Sequence, residues 1–442
     1  MKIIAWMILI GTGAAITGCN ISAKYSVGGT VTGLLGSGLV LQNNSGNDLS
    51  LDSNGTFAFT DGVKNDGAYS VTVKTQPSNP SQTCTVRNGS GNIDKADITN
   101  VIVSCTQTGR FAYVANQLSN NLSAYSINAA TGALTAVPGS PFADAGTTPT
   151  ALTVDPNGRF LYVADHGSND VSVYSINSTT GALASAGLSS ATGSGPEAVA
   201  VDPTDSYLYV ANVAANSVSG YAIDGTTGLL TEVANSPFAV GVQPSSLKID
   251  PAGAFLYVTN FSGASVSVLA IDPDTGILSS ISGSPFGAGA GAISIAISPA
   301  GTFAYVANET AATISRYSIN ASSGALTAVS GSPLSTGSSP ESLAVDPAGR
   351  YVYAANVTAK NQVATYSITP SSGALTLSGA PVPSGTFPVS LALDPSGLFA
   401  YVANDNSNDI SVYAVDVTSG VLTQVSRSPF AAGNEPHSIA ID

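Results

Sequence analysis

Charge is scarce in this chain of 442 residues: Asp, Glu, Lys and Arg together make up 9% of it, and only 13 residues are Lys or Arg. A phosphate backbone demands a dense basic surface, and the formal net charge here is −14, so a nucleic-acid partner is excluded. Histidine is nearly absent, with His166 and His437 the two copies, and cysteine stops at three. Neither type is numerous enough for a zinc cluster, and no metal or cofactor is expected. Tryptophan and methionine are confined to Met1, Trp6 and Met7. There is no Ser-His-Asp elbow and no phosphate-cradling glycine loop. The exterior is therefore solvated by Ser, Thr, Asn and Gly rather than by ions.

What is present begins with Lys2 and the apolar run IIAWMILIGTGAAI. A short charged start, an apolar stretch too brief to span a bilayer comfortably and small residues before the cut predict a secretory signal over 1–18. The I-T-G-C at 16–19 resembles the bacterial lipobox. That resemblance implies lipid modification of Cys19 and an envelope protein, outer-membrane anchored through its acyl chains. Loss of Lys2 with the signal takes the formal charge to −15. Cys84 and Cys105 then remain as an even pair in an oxidising compartment, which predicts a disulfide worth about 3 kcal/mol.

Residues 19–28 read as a tether. From 29 to 106 the chain runs in short alternating or β-branched stretches bounded by Gly, Asn, Asp or Pro, such as GLVLQNN, AYSVTVKT and NVIVSC. A small β-sandwich-like domain is expected there, its modest core stapled by the disulfide. It resembles the immunoglobulin-like modules that precede propellers in bacterial surface proteins, and a spacer role is expected.

From 107 to 442 one word recurs: FAYVAN, FLYVAD, YLYVAN, FLYVTN, FAYVAN, YVYAAN, FAYVAN. Its tyrosines, Tyr113, Tyr162, Tyr209, Tyr257, Tyr305, Tyr353 and Tyr401, are spaced by 49, 47, 48, 48, 48 and 48 residues. A fixed period near fifty with four short strands per unit is the mark of a β-propeller, here with seven blades and an all-β fold. The first word has no inner strand before it, while the chain ends on EPHSIAID, an inner strand with no word after it. The surplus piece should fill the missing place and close blade one, leaving no open sheet edge. The recurrent Ser-Pro-Phe or Ser-Pro-Leu reads as a turn with an apolar plug.

The words YVAN and YVTN, with VSVYSI, IDPDTGIL and DPAGRYVY, resemble the seven-bladed lactonase-like propellers, a group that includes 6-phosphogluconolactonase-type enzymes and YVTN-repeat surface proteins. The enzymes of that group carry G-P-R-H on one inner strand and then a word ending in N-E, and the resemblance implies that the Arg and His hold and hydrolyse a lactone. Here Asn308-Glu309 keeps the N-E, making Glu309 a candidate ligand-binding residue. Ile293 and Ser294 stand where Arg and His would, and isoleucine can neither steady an oxyanion nor pair a phosphate.

Propellers bind at the channel mouth where inner strands begin. In blade order the rim is His437, Thr150, Glu197, Ser245, Ile293, Glu341 and Val389. Glu197 and Glu341 each lie two blades from His437, so an imidazole between two carboxylates, its pKa raised by their charge, is the candidate general base. The bland reading is that the acids are solvated and His437 caps a strand. Lys248 stands mid-strand where other copies place Ala or Thr; it either binds an anionic ligand in the channel or is spent on an ion pair or a snorkelled stem. Arg316 is expected to salt-bridge outward, and His166, in DHGSND, to belong to a turn. The expected function is a monomeric, lipid-anchored scaffold that binds a small molecule or protein; the alternative is a hydrolase opening a sugar lactone with His437 and Glu197 or Glu341.

Overall fold

A computed structural model describes residues 24–442 apart from 35–36, 78–81, 107–110, 145, 188 and 358–360. Cys19 and the expected secretory signal over 1–18 lie outside the described residues. The chain divides after Thr106 into two compact units, and every regular element among the described residues is a strand.

The first unit holds two four-stranded sheets. One runs Gly55–Ala58, Val27–Thr32, Ile98–Thr106, Thr83–Arg87, and the other Asn47–Leu51, Leu39–Asn43, Ala68–Thr75, Ser90–Asn92. Alternation along the strands sends Val27, Val31, Leu39, Leu41, Val71, Val101 and Val103 into one shared core. Cys84 and Cys105 face each other across neighbouring antiparallel strands and are joined by a disulfide. The reading of 19–28 as a tether fails at its end. Lys24–Tyr25 already pairs with Val63–Lys64, and Val27 is fully buried, because its strand is the parallel partner of Ile98–Thr106.

The second unit is a closed ring of seven sheets. In each blade the strand order follows the chain, from an inner strand such as Pro340–Val345 to Tyr351–Asn356, Gln362–Ile368 and Leu375–Leu377. Blade one takes its inner strand from the chain end: Pro436–Ile441 lies antiparallel to Phe111–Asn116, with Ala440 opposite Tyr113. Asp442 seals the joint, its Oδ1 accepting from the Phe111 N–H at 2.6 Å. The inner strand also packs against the inner strands Pro149–Val154 and Pro388–Leu393, so the ring is continuous.

The Ser-Pro-Phe segments do more than plug. The outer strand is broken in two, and the second piece is a two-residue strand such as Phe142–Ala143, which pairs with the start of Asn121–Ile127 while Leu134–Ala136 pairs with its end. The serine fills the break. Its hydroxyl accepts the Ala124 N–H at 2.9 Å, and Ser236, Ser284, Ser332 and Ser428 repeat the contact in their own blades. An interrupted outer strand is invisible to a period count, because the period is unchanged.

Burial explains the repeated word. The seven tyrosines are fully buried, and six donate their hydroxyl to a turn carbonyl on another blade, for example Tyr113 to Gly181 and Tyr401 to Gly132. Each such turn glycine has φ near +70° and lies against an aromatic ring, as Gly132 does on Phe399, so it answers both a backbone and a space requirement. The word's last residue, typified by Asn116, is buried and donates to Asn121 and Ser123 on the next strand. Blade two uses Asp165 there. Burial and the neighbouring Asp144 push its carboxyl up to about 10, so it stays protonated and stands in for the amide. Arg316 does not reach outward to an acid. It is buried and donates to the carbonyls of Ser330 and Gly331, which the broken outer strand leaves unpaired.

Candidate functional site at the channel mouth

Each blade presents two residues at the mouth: the second residue of its inner strand and the residue just after the second strand. The first set contains His437, Glu197 and Glu341. The second contains His166 after Phe160–Asp165, Glu309 after Phe303–Asn308 and Asp405 after Phe399–Asn404.

Four of these form a chain of contacts across four blades. His437 Nδ1 is 3.2 Å from Asp405 Oδ2, and its Nε2 is 3.7 Å from Glu197 Oε1. Glu197 Oε2 is in turn 3.2 Å from His166 Nδ1. The side chains of His437 and Glu197 are 29% and 26% exposed, so the cluster opens to solvent while Asp405, at 11%, backs it. His437 and Glu197 thus come together, as their places on the rim suggest. His166 and Asp405 are additions. Their signal is the position after the recurring Asn or Asp, where other blades carry Gln117, Val213, Phe261 and Val357.

Charges set the protonation. Burial disfavours a charged His437, but its bonds to Asp405 and Glu197 outweigh that and raise its pKa to about 9. The bond to Glu197 also raises His166, against a smaller opposing effect of burial and of His437. Burial alone would raise Glu197; the two imidazoles reverse it and hold the carboxyl at about 2. Glu341 behaves oppositely. Burial, reinforced by Glu309 and Glu197 and only partly offset by His437, pushes its carboxyl up to about 7. Near neutral pH the mouth therefore holds an imidazolium and, elsewhere on the same rim and within reach of its charge, a carboxyl poised to take or give a proton. The raised pKa expected of an imidazole among carboxylates is present, and it keeps His437 protonated near neutrality while Glu341 is the group near its midpoint.

The remaining rim is built for structure. Thr150 Oγ1 donates to the Pro196 carbonyl at 2.9 Å, and Ser245 Oγ to that of Ala292 at 2.9 Å. Ile293 offers no polar atom, and Ser294 Oγ accepts the Leu343 N–H at 3.1 Å. Lys248 is not at the mouth: it stands exposed on the wall of the central channel. No group of three or more His, Cys, Asp or Glu among the described residues has the arrangement of a metal site.

Several solved structures share this architecture. One is a candidate 6-phosphogluconolactonase from Bacteroides uniformis ATCC 8492, 20% identical, covering 76% of this chain and 100% of that one at a TM-score of 0.67. Another is the periplasmic gluconolactonase PpgL of Pseudomonas aeruginosa, 21% identical over 76% of this chain and 99% of that one, TM-score 0.66. A protein from Lactobacillus plantarum matches at 22% identity, with coverages of 76% and 99% and a TM-score of 0.65. At such identities the likeness is one of fold. No curated protein matches the chain. The model of the lactonase family with a seven-bladed β-propeller matches residues 49–242, 198–293 and 284–440, most of the chain, and this protein belongs to that family.

Proposed function

We propose that the channel mouth binds a small uncharged hydroxylated ester of the sugar-lactone class and opens it by hydrolysis. The observation that carries this reading is the pairing of an imidazolium, His437, with a carboxyl of near-neutral pKa, Glu341, at one solvent-open rim. Glu341, once ionised, takes a proton from the water that attacks the carbonyl carbon. As the tetrahedral intermediate collapses, the ring acyl C–O bond breaks and Glu341 returns that proton to the departing alkoxide, giving the hydroxy acid. His437 donates through Nε2 toward the lactone carbonyl oxygen, a hydrogen it holds only loosely toward Glu197 at 3.7 Å. Asp405 on the other ring nitrogen fixes the imidazole's orientation. The family relationship and the gluconolactonase named among the similar structures support the same substrate class.

A second reading, binding without turnover, is favoured by Ile293, which leaves the rim without the arginine of the family's enzymes, and by the engagement of both imidazoles with carboxylates. Ring opening of glucono-δ-lactone followed by pH-stat, with calorimetric binding in parallel, separates the two. The hydrolytic reading expects kcat/KM to rise through about pH 7 as Glu341 ionises and to fall through about pH 9 as His437 loses its proton. Glu341→Gln should lower kcat by about a hundredfold or more, remove the acidic limb and leave binding within a few-fold. Saturable binding with no enzyme-dependent ring opening would replace hydrolysis by the binding reading; neither binding nor turnover would sink both for this ligand class.

A further inference from the structure

Below the mouth the inner strands enclose a cavity of about 650 Å³, lined by the central residues of all seven blades. Its wall is Ala, Val, Leu, Ile, Ser and Pro almost throughout, and the ionisable residues among those lining it are Lys248 and Asp394. Asp394 is spent: its carboxylate accepts the N–H groups of Leu398 and Phe399 and the hydroxyl of Ser396. Lys248 meets no acid among the described residues. It lies three residues beyond the rim residue Ser245, about 10 Å along the strand.

An inner strand is a sheet edge turned to the channel, so half its amides need partners from outside their own blade. In four blades a serine of the preceding blade supplies one. Ser294, Ser342, Ser390 and Ser438 accept the N–H groups of Leu343, Leu391, Ile439 and Leu152 at 3.0–3.3 Å. The same place is taken by Ala151 before Val199 and by Ala198 before Leu247. Among the described residues the cap is thus missing for three amides: Val199 and Leu247 have no serine before them, and Ser246 makes no such bond to Ile295. Leu247 is adjacent to Lys248 in sequence, and Val199 is on the neighbouring blade.

We propose that the Val199 and Leu247 amides and the Lys248 ammonium form a binding site for a small oxyanion of the phosphate or carboxylate type in the central channel. The four capping serines each keep a hydroxyl hydrogen to donate, so the channel wall carries further donors on the other blades. An oxyanion supplies both the charge that Lys248 lacks and acceptors for the uncapped amides. Although the residue is open to the channel, desolvation by the surrounding wall lowers the pKa of the Lys248 amine, and a bound anion would raise it again. The site does not depend on the chemistry of the mouth.

The test titrates the full chain with inorganic phosphate and, separately, with acetate, following backbone amide shifts and thermal melting. The expected result is saturable movement of the Val199 and Leu247 amides and a rise in melting temperature with either or both probes. Lys248→Met should melt no lower than the parent without anion, since it removes a cation that meets no acid, and should bind at least about tenfold more weakly. Lys248→Arg should retain binding. Shifts centred on His437 and His166, unaltered affinity in Lys248→Met, or no saturable response to either probe would overturn the proposal.

Discussion

The two units of this chain close their sheets by different means. The first is small, with two four-stranded sheets over one core, and joins neighbouring strands through Cys84–Cys105. The second is about three times longer and contains no cysteine. It is held by packing of each blade on the next and by one strand returned from the far end of the chain. A small domain buries too little apolar surface to dispense with a covalent link, whereas a ring has two apolar faces per blade and needs only that no blade be left open.

That contrast can be broken most severely at the joint. Deleting residues 436–442 uncovers the Phe111–Asn116 edge and the flanks of blades two and seven, and the whole propeller should lose its cooperative melting transition. Calorimetry that shows the truncated chain melting like the full one would refute closure as the source of stability. Less drastic is Cys84→Ala with Cys105→Ala, expected to cost the first unit about 3 kcal/mol. Hydrogen exchange should quicken over residues 98–106 and stay unchanged over 399–404; equal loss in both segments would mean that the units do not stabilise themselves separately.

The smallest effect separates two tyrosines of the same ring. Tyr305 donates to the Gly373 carbonyl at 3.2 Å, while the buried hydroxyl of Tyr353 has no such partner. Tyr305→Phe should destabilise the propeller by about 1 kcal/mol in urea denaturation, and Tyr353→Phe should be neutral or slightly stabilising. Equal losses would show that the interblade hydrogen bond is not what the ring gains from its tyrosines.

Architecture was legible because it is written seven times. The spacing of Tyr113 to Tyr401 gives the blade count, and the unmatched ends GRFAYVAN and EPHSIAID give the closure. Features that occur once, or that leave the period unchanged, were not. The broken outer strand costs no residues of spacing, and Arg316 is read as exposed unless the unpaired carbonyls of Ser330 and Gly331 are known. At the mouth, the inner-strand positions yielded His437, Glu197 and Glu341, whereas His166 and Asp405 sit in sequences that look like turns. They are turns. The tight return after the second strand is what lifts those side chains to the rim, so turn and site are one stretch of chain. Protonation was harder still, since the sign of each shift depends on burial set against a partner from another blade.

His437 belongs to the strand that seals the ring. Residues 436–441 therefore finish two things at once, the first blade and the charged cluster at the mouth. Loss of that one strand removes both, so the mouth cannot be assembled on an open wheel.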